Sequence, residues 1–214
     1  MDVAAKADVM AAPSFRRVAP AATEAALAVL AQTLGSVLPA ELHDFLKGQN
    51  GGKPDRAAFE VPKLGWTSVT RLYGTGTGGD YTIEAVAALV EFQNLPPATL
   101  VIGEDPGGNL LLIDAAGAIW FVAHCGWPLG STPATVRLAD GLDTFLASLV
   151  HVGQVPKSRW PADYAAIAAA AGHPEWGRDP PDGYSWHYDV PSRDMQLVPR
   201  DIHWMAPHVA SILV

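Results

Sequence analysis

The stretch that decides the fold is Leu-Gly-Ser-Val-Leu-Pro-Ala-Glu-Leu-His-Asp-Phe-Leu-Lys-Gly-Gln-Asn-Gly-Gly, residues 34–52. Pro39 suits the first position of a helix. The apolar residues that follow recur at helical spacing on one face: Leu38, Leu42, Phe45 and Leu46. Gly48 and the Asn50-Gly51 pair favour positive φ, so they end the helix and turn the chain. The stretch therefore predicts an amphipathic helix that begins at a proline and runs directly into a tight turn.

The composition limits the classes of function. The chain has 214 residues, with 22 acidic and 14 basic side chains and a formal net charge of −8 at pH 7. This charge opposes binding to nucleic acid, and the sequence has no basic stripe. The single cysteine, Cys125, cannot form an intramolecular disulfide, so we expect a reducing compartment and a cytoplasmic location.

The N-terminal residues do not have the pattern of a targeting signal. Charged residues and a proline interrupt the alanine-rich start and leave no continuous apolar core: Asp2, Lys6, Asp8 and Pro13. No segment is long and apolar enough to span a membrane. We expect residues 1–19 to be a flexible tail that packs on the domain only near Phe15.

Several further segments have recognisable periods. Residues 23–34, 83–92 and 136–150 carry apolar residues at helical spacing, which predicts three more helices. Residues 48–65 are rich in glycine, proline and charge, which predicts a loop, and residues 66–73 predict a strand.

The most strand-like part of the chain is residues 99–123. It contains three short apolar runs separated by glycine-containing turns: 99–102, 109–114 and 118–123. Connections this short permit only antiparallel neighbours, so the runs predict a meander. Continuously apolar strands need cover on their faces, which the predicted helices supply.

In their order and spacing, these segments resemble a SUKH domain, the superfamily of the fungal cell-wall assembly regulator and of many bacterial immunity proteins. The landmarks that carry the resemblance lie within residues 20–152: the Leu38-Pro39 helix, Asn50-Gly51, Arg71-Leu72-Tyr73-Gly74, Ile102-Gly103 before Gly108-Asn109, Ile113-Asp114 and Phe145-Leu146. Two features depart from the family pattern. His43 stands where an aromatic residue is usual, and residues 125–135 form a long loop rich in glycine and proline. The resemblance implies a domain that binds a protein, catalyses no reaction and needs no cofactor.

Residues 153–214 have no counterpart in a minimal SUKH domain. Residues 161–171 predict a helix, and the alternating apolar residues of 184–190 predict a strand. Four of the seven tryptophans lie in this part of the chain: Trp160, Trp176, Trp186 and Trp204. A disordered tail would not carry so many aromatic residues, so we expect this extension to pack on the main domain or on a second subunit.

Residues 74–79, Gly-Thr-Gly-Thr-Gly-Gly, match the Gly-x-Gly-x-x-Gly pattern of dinucleotide-binding sites. The predicted strand before them is polar, whereas a central parallel strand should be apolar, and no alternating βαβ pattern follows. The acidic residue expected about 20 positions further on is also missing. We therefore interpret these glycines as a flexible loop and keep a nucleotide-dependent enzyme as the less favoured alternative.

Histidine and cysteine do not form a convincing reactive site. His187, His203 and His208 lie close in sequence, but without the i, i+4 spacing of a helical metal site. His124 and Cys125 are neighbours at a strand end, where adjacent side chains point to opposite faces and cannot form a catalytic pair. We therefore predict neither a metal site nor catalytic residues.

Four residues are candidates for contacting a partner: Tyr73, Glu104, Asp105 and Trp127. Glu104 and Asp105 are expected in an exposed turn, where they could meet basic side chains. Trp127 lies in a Gly-Trp-Pro loop, and an exposed aromatic residue in such a loop could anchor an interface. Tyr73 belongs to one of the family landmarks. On this basis, Asp105→Lys should weaken partner binding without lowering the melting temperature.

We predict an α+β fold in which an antiparallel sheet centred on residues 99–123 is covered by the N-terminal helices and a helix at 139–150, with residues 153–214 extending it. By resemblance, the protein is of the immunity type and neutralises a co-produced toxin by stoichiometric binding. A basic toxin that degrades nucleic acid would suit the acidic surface. The alternative is a regulatory or scaffold module of the same fold that binds a cellular protein.

Overall fold

The computed structural model describes residues 12–62, 64–76, 81–90, 95–122, 135–156, 180–189 and 194–200. In chain order its elements are β1 (Phe15–Arg16), α1 (Glu24–Leu34), α2 (Ala40–Gly48), β2 (Lys53–Pro54), β3 (Ala58–Val61), β4 (Gly65–Ser68), β5 (Arg71–Leu72), α3 (Ile83–Val90), β6 (Thr99–Glu104), β7 (Leu110–Asp114), β8 (Ile119–Val122), β9 (Thr135–Ala139), α4 (Leu142–Ser148), a 3-10 helix (Val152–Gln154), β10 (Tyr184–Asp189) and β11 (Asp194–Pro199). Antiparallel sheets and several helices together make an α+β fold, as predicted.

A five-stranded antiparallel sheet lies at the centre, with the strand order β5-β6-β7-β8-β9. Strands β6, β7 and β8 are the meander that the three apolar runs predicted. The apolar residues of β7, from Leu110 to Ile113, are at most 1% exposed, because both neighbouring strands and the helix layer cover them. Helices α1 and α3 both contact β6, and α2 contacts α4.

Local chemistry sets the ends of the first two helices. The Thr23 hydroxyl accepts a hydrogen bond from the Ala26 amide at 3.2 Å and caps α1, and Gly35 ends that helix with φ of 72°. Pro39 is the N-cap of α2, one position before the place predicted for it. Both helices are therefore present as predicted, with boundaries that differ by one residue.

The Asn50-Gly51 turn packs directly on the backbone after β5. Asn50 Nδ2 donates to the carbonyl oxygens of Pro20 and Thr75 at 2.5 and 3.1 Å, and its Oδ1 accepts from the Thr75 amide at 2.8 Å. A Cβ at Gly51 would lie 2.6 Å from Gly74 N, and a Cβ at Gly74 would lie 2.6 Å from the Asn50 carbonyl oxygen. Two family landmarks are thus glycine-containing because their backbones touch each other.

Gly74 also begins the Gly-x-Gly-x-x-Gly pattern, and its contact with Asn50 gives it a packing role. Gly76 has φ of 68°, and a Cβ there would lie 2.8 Å from the Ala26 Cβ. The preceding strand, β5, is the edge of an antiparallel sheet, whereas a dinucleotide fingerprint follows a central parallel strand. Close packing therefore accounts for the first two glycines of the pattern; residues 77–80 lie outside the described residues.

The prediction of one closing helix over residues 136–150 is wrong in its first part. Residues Thr135–Ala139 form β9, which pairs with β8, and only Leu142–Ser148 are helical. Leu138 and Leu142 fit helical spacing, but Thr135 and Val136 are β-branched and Gly141 interrupts the period. The unpaired edge of β8 provides the hydrogen-bonding partners that favour the strand.

The loop predicted over residues 48–65 is also wrong in part, because it contains β2 and β3. In β3, Ala58, Phe59 and Val61 are buried while Glu60 is exposed. The strand predicted over residues 66–73 is divided into β4, which pairs with β3, and β5, which joins the central sheet. Short strands of this kind owe their formation to tertiary pairing, which sequence propensity does not report.

The described part of the C-terminal extension is a hairpin. Strands β10 and β11 pair antiparallel, with Tyr184 opposite Pro199 and Asp189 opposite Asp194. The strand predicted over residues 184–190 is thus present, whereas its partner β11 was not predicted. The helix predicted over residues 161–171 lies outside the described residues.

Candidate binding interface

The C-terminal hairpin lies against the turn between β6 and β7. The Trp186 amide donates a hydrogen bond to the Pro106 carbonyl oxygen at 3.1 Å, and Trp186 is 1% exposed. At the base of the hairpin, the Arg200 amide donates to the Gly183 carbonyl oxygen at 2.8 Å. The described part of the extension therefore packs on the main domain, one of the two arrangements expected from its tryptophans.

Asp182, immediately before the hairpin, bridges two arginines of the main domain. Its Oδ2 lies 2.8 Å from Arg17 Nη1, and its Oδ1 lies 2.9 Å from Arg71 Nη2. The Asp182 side chain is 55% exposed, and that of Arg71 is 10% exposed. One carboxylate thus pairs with a surface arginine and with a nearly buried one at the edge of the sheet, which fixes where the hairpin begins.

Tyr81 lies between the extension and the domain. The Cζ atoms of Arg71 and Arg200 lie 3.5 and 4.2 Å from the centroid of its ring, within the range of cation–π attraction. Its hydroxyl accepts a hydrogen bond from the Gly183 amide at 2.7 Å. Burial, more than any other influence, raises the pKa of Tyr81. One aromatic ring therefore joins an arginine of the domain to an arginine of the extension.

Beneath this ring, Glu104 faces Arg200. Glu104 Oε1 lies 3.6 Å from Arg200 Nη1, and both side chains are almost fully buried. Burial raises the pKa of Glu104, and the positive charge of Arg200 opposes that rise. Within the described part of the chain, the Oε2 atom of Glu104 has no hydrogen-bond partner. The hairpin therefore supplies the cation closest to a poorly satisfied buried carboxylate.

Asp105 is buried as well, so the prediction of an exposed acidic turn is wrong for both carboxylates. Its Oδ1 accepts from the amides of Gly107 and Asn109, each at 2.9 Å. Its Oδ2 accepts from Asn109 Nδ2 at 2.9 Å and from the Thr67 hydroxyl at 2.8 Å. The Asp-Pro-Gly sequence does form a turn, but the carboxylate points inward to organise it. Asp105 thus has a structural role, and the expectation that Asp105→Lys leaves the melting temperature unchanged no longer follows.

Tyr73 is 1% exposed and belongs to the core, so it offers no surface to a partner in this conformation. Burial and the nearby Glu104 charge raise its pKa well above the usual value. Trp127, His124 and Cys125 lie outside the described residues. Tyr73, Glu104 and Asp105, the candidates that the structure describes, are therefore buried and do not form an exposed patch.

Sequence reasoning missed the interface residues Tyr81, Asp182 and Arg200. Arg71 was noticed only as part of a family landmark. The Arg71 and Asp182 side chains that pair are 111 positions apart, and no local pattern links residues at such a distance. The sequence of the extension nevertheless held one signal for an interface, because its tryptophans lie among charged residues.

The described part of the chain has neither a metal-binding cluster nor a membrane-spanning helix. No group of three or more His, Cys, Asp or Glu side chains is placed to hold a metal ion; His203 and His208 lie outside this part. No helix there is long and apolar enough to cross a membrane.

The C-terminal extension is similar to a second family. Residues 177–211 match a nuclease of the HNH/ENDO VII superfamily with conserved WHH. The matched range contains the whole hairpin, Asp182 and Arg200. Its Trp-His dipeptide is Trp186-His187, followed by Tyr188 where the motif has a second histidine. The buried tryptophan of the interface thus belongs to the Trp-His dipeptide of the matched range.

No curated protein matches the chain. The SMI1 / KNR4 family (SUKH-1) matches residues 21–148, which include helices α1 to α4 and the central sheet described above. This range agrees with the span of landmarks on which the resemblance to a SUKH domain was based. The chain belongs to the SMI1 / KNR4 family, SUKH-1.

Proposed function

We propose that this protein is of the immunity type and neutralises a cognate toxin by stoichiometric binding. The observation that carries the proposal is the docked hairpin: a SUKH-1 domain holds, within one chain, a segment similar to a nuclease. The contacts between them combine ion pairs, an aromatic ring between arginines and a buried tryptophan. Tyrosine, tryptophan and arginine are the residues that dominate binding energy at protein interfaces.

Co-expression tests the proposal directly. The product of a neighbouring gene that encodes a toxin domain is expressed in a bacterial host with and without this protein, and survival is measured. Rescue of growth, together with a one-to-one complex by light scattering, is the expected result. Growth arrest that persists with this protein fully expressed, and no complex with the toxin, would contradict the proposal and favour the regulatory or scaffold module.

The match to a nuclease supports a second candidate, in which the extension itself cleaves nucleic acid. Two observations favour the immunity role over this candidate. Tyr188 replaces the second histidine of the motif, and a neutral phenol is a poorer general base near pH 7 than an imidazole. The net charge of −8 also opposes contact with a polyanionic substrate.

A cleavage assay separates these two functions. The full-length protein, a His187→Ala variant and a Tyr188→His variant are incubated with plasmid DNA and with RNA in the presence of divalent cations. We expect no cleavage by the wild-type protein. Cleavage that is lost in His187→Ala would show that the extension is an enzyme.

A further inference from the structure

The docked hairpin also indicates which face of the domain binds the toxin. The ion pairs, hydrogen bonds and ring contacts given above between the hairpin region and the domain use four residues of the nuclease-like range: Asp182, Gly183, Trp186 and Arg200. On the other side, the contacts come from the edge of the central sheet and from residues next to it. Because the match covers the whole hairpin, we expect a nuclease of the same type to carry a similar hairpin.

The chemistry of this face is specific. It presents the carboxylate of Glu104, the ring of Tyr81 and the guanidinium of Arg71 within the reach of one hairpin. The Pro106 carbonyl oxygen adds a backbone acceptor, which Trp186 uses. A partner must therefore bring a cation, an anion and a free backbone amide in fixed relative positions, and this requirement makes the face selective.

We infer that the face formed by Arg71, Tyr81, Glu104 and the Pro106 carbonyl is the toxin-binding face, and that the chain's own hairpin occupies it in place of the hairpin of a WHH-type nuclease. This inference rests on the proposed function and names the partner class and the surface. The internal hairpin then acts as a competitor that the nuclease displaces.

Occupation of the toxin-binding face by the chain's own hairpin has a measurable consequence. When a binding-competent state is only partly populated, the apparent dissociation constant rises by the inverse of that fraction. Weakening the internal contact without changing the domain face should therefore tighten binding of the nuclease. Asp182 is suited to this change, because it belongs to the extension and its side chain is 55% exposed.

The experiment uses the full-length protein and a WHH-type nuclease domain inactivated at both histidines of its motif. Asp182→Lys places a cation beside Arg17 and Arg71 and should lower the dissociation constant about threefold to tenfold, as expected for the loss of an exposed ion pair with Arg17 and a partly exposed one with Arg71. Asp140→Lys is the matched control: Asp140 pairs with Arg137 at the opposite edge of the sheet, so the dissociation constant should not change. Adding Glu104→Gln to Asp182→Lys should weaken binding again, because the face loses its anion.

Hydrogen exchange of the Trp186 amide gives a second readout, since this amide donates across the interface. Nuclease binding should accelerate its exchange. If the wild-type protein binds the nuclease while this amide stays protected and Asp182→Lys has no effect, the toxin uses another face; the inference is overturned and the proposed function stands. If the protein binds only a toxin of another class, the inference is likewise overturned and the proposed function stands. If no toxin binds any variant, the proposed function itself fails.

Discussion

Glu104 and Asp105 are neighbours that are equally buried, at 3% exposed each, but they are held in opposite ways. Asp105 accepts four hydrogen bonds from its own turn and from Thr67. Glu104 has a cation 3.6 Å away, and that cation comes from the C-terminal hairpin. Burial alone therefore does not tell the role of a carboxylate. The turn around Asp105 is complete within the domain, whereas the region around Glu104 needs a second segment.

Asp105 therefore stabilises the fold of the domain, whereas Glu104 stabilises the interface with the hairpin. A carboxylate satisfied by nearby amides stabilises its turn in every state of the domain. A carboxylate whose main cation belongs to another segment favours association of that segment, because separation leaves the charge without its partner. Mutations around Asp105 should therefore lower the global stability of the domain. Mutations around Glu104 should instead increase local opening of the hairpin.

Asp105→Ala is expected to have the largest effect on stability. It leaves the amides of Gly107 and Asn109 without acceptors in a buried turn, which should cost about 3 kcal/mol of unfolding free energy. Urea unfolding measures the loss. Asp140→Ala serves as the control, since the Asp140 side chain is 89% exposed, and its stability should not change. Equal stability of Asp105→Ala and the wild-type protein would remove the distinction between the two carboxylates.

Arg200→Ala should have the next largest effect, and a local one. Loss of the cation removes the strongest influence that favours the charged form of the buried Glu104 and leaves the weaker ones of Tyr73 and Arg71. We expect a cost of about 2 kcal/mol, because opening of the hairpin hydrates the carboxylate and limits the penalty. Amide exchange at Trp186 should accelerate, while exchange in β7 should stay slow. Arg137→Ala, at the opposite edge of the sheet, should leave both rates unchanged. Equal acceleration in the hairpin and β7 would show that the hairpin is part of the folding unit.

Glu104→Gln tests the comparison through pH, with a smaller effect. Burial raises the pKa of Glu104 in the folded protein above its ordinary value of 4.5. As the pH rises, the unfolded chain therefore loses this proton at a lower pH than the folded protein does. The stability of the wild-type protein therefore falls as pH rises from about this ordinary value through the folded pKa. The glutamine side chain of the variant does not titrate, so the melting temperature of the variant minus that of the wild-type protein should increase over this range. A difference that is constant with pH would contradict the prediction.

Asp182→Asn should have the smallest effect on stability. The Asp182 and Arg17 side chains are both more than half exposed, and such exposed ion pairs contribute about 1 kcal/mol or less. Arg71 is only 10% exposed, but Asp182 itself is 55% exposed, so water and salt screen that pair as well. The loss should be visible at low salt and should diminish as salt screens the pairs. Asp140→Asn provides a matched surface control. A loss as large as that of Arg200→Ala would place the energetic centre of the interface at Asp182.

The helices and the meander could be predicted because their signals are local. Thr23 and Gly35 bound α1 through their own cap geometry, and the three apolar runs gave the central strands together with their antiparallel order. The start of the closing segment could not be predicted, because residues 135–139 have both a helical and a strand period. Pairing with β8 decided between them.

The candidate site was less predictable than the fold. An Asp-Pro-Gly turn correctly indicated where the chain reverses, but not whether Asp105 faces water or the protein. Tyr81, Asp182 and Arg200 belong to none of the motifs by which the SUKH-like domain was recognised. Their importance depends on contacts between the domain and the extension, such as the one between Arg17 and Asp182 across 165 positions.

By itself, the amino-acid sequence determined the positions of the first two helices, the apolar strands of the meander, the glycine-containing turns and the net charge of this protein, because neighbouring residues fix each of them. Only the tertiary structure decided that Glu104 and Asp105 are buried, that the backbones of Gly51 and Gly74 touch, and that the segment of the hairpin pairs with Arg71 through Asp182. These features depend on which distant segments meet, and the free energy of such contacts comes from burial and pairing that a linear pattern does not contain.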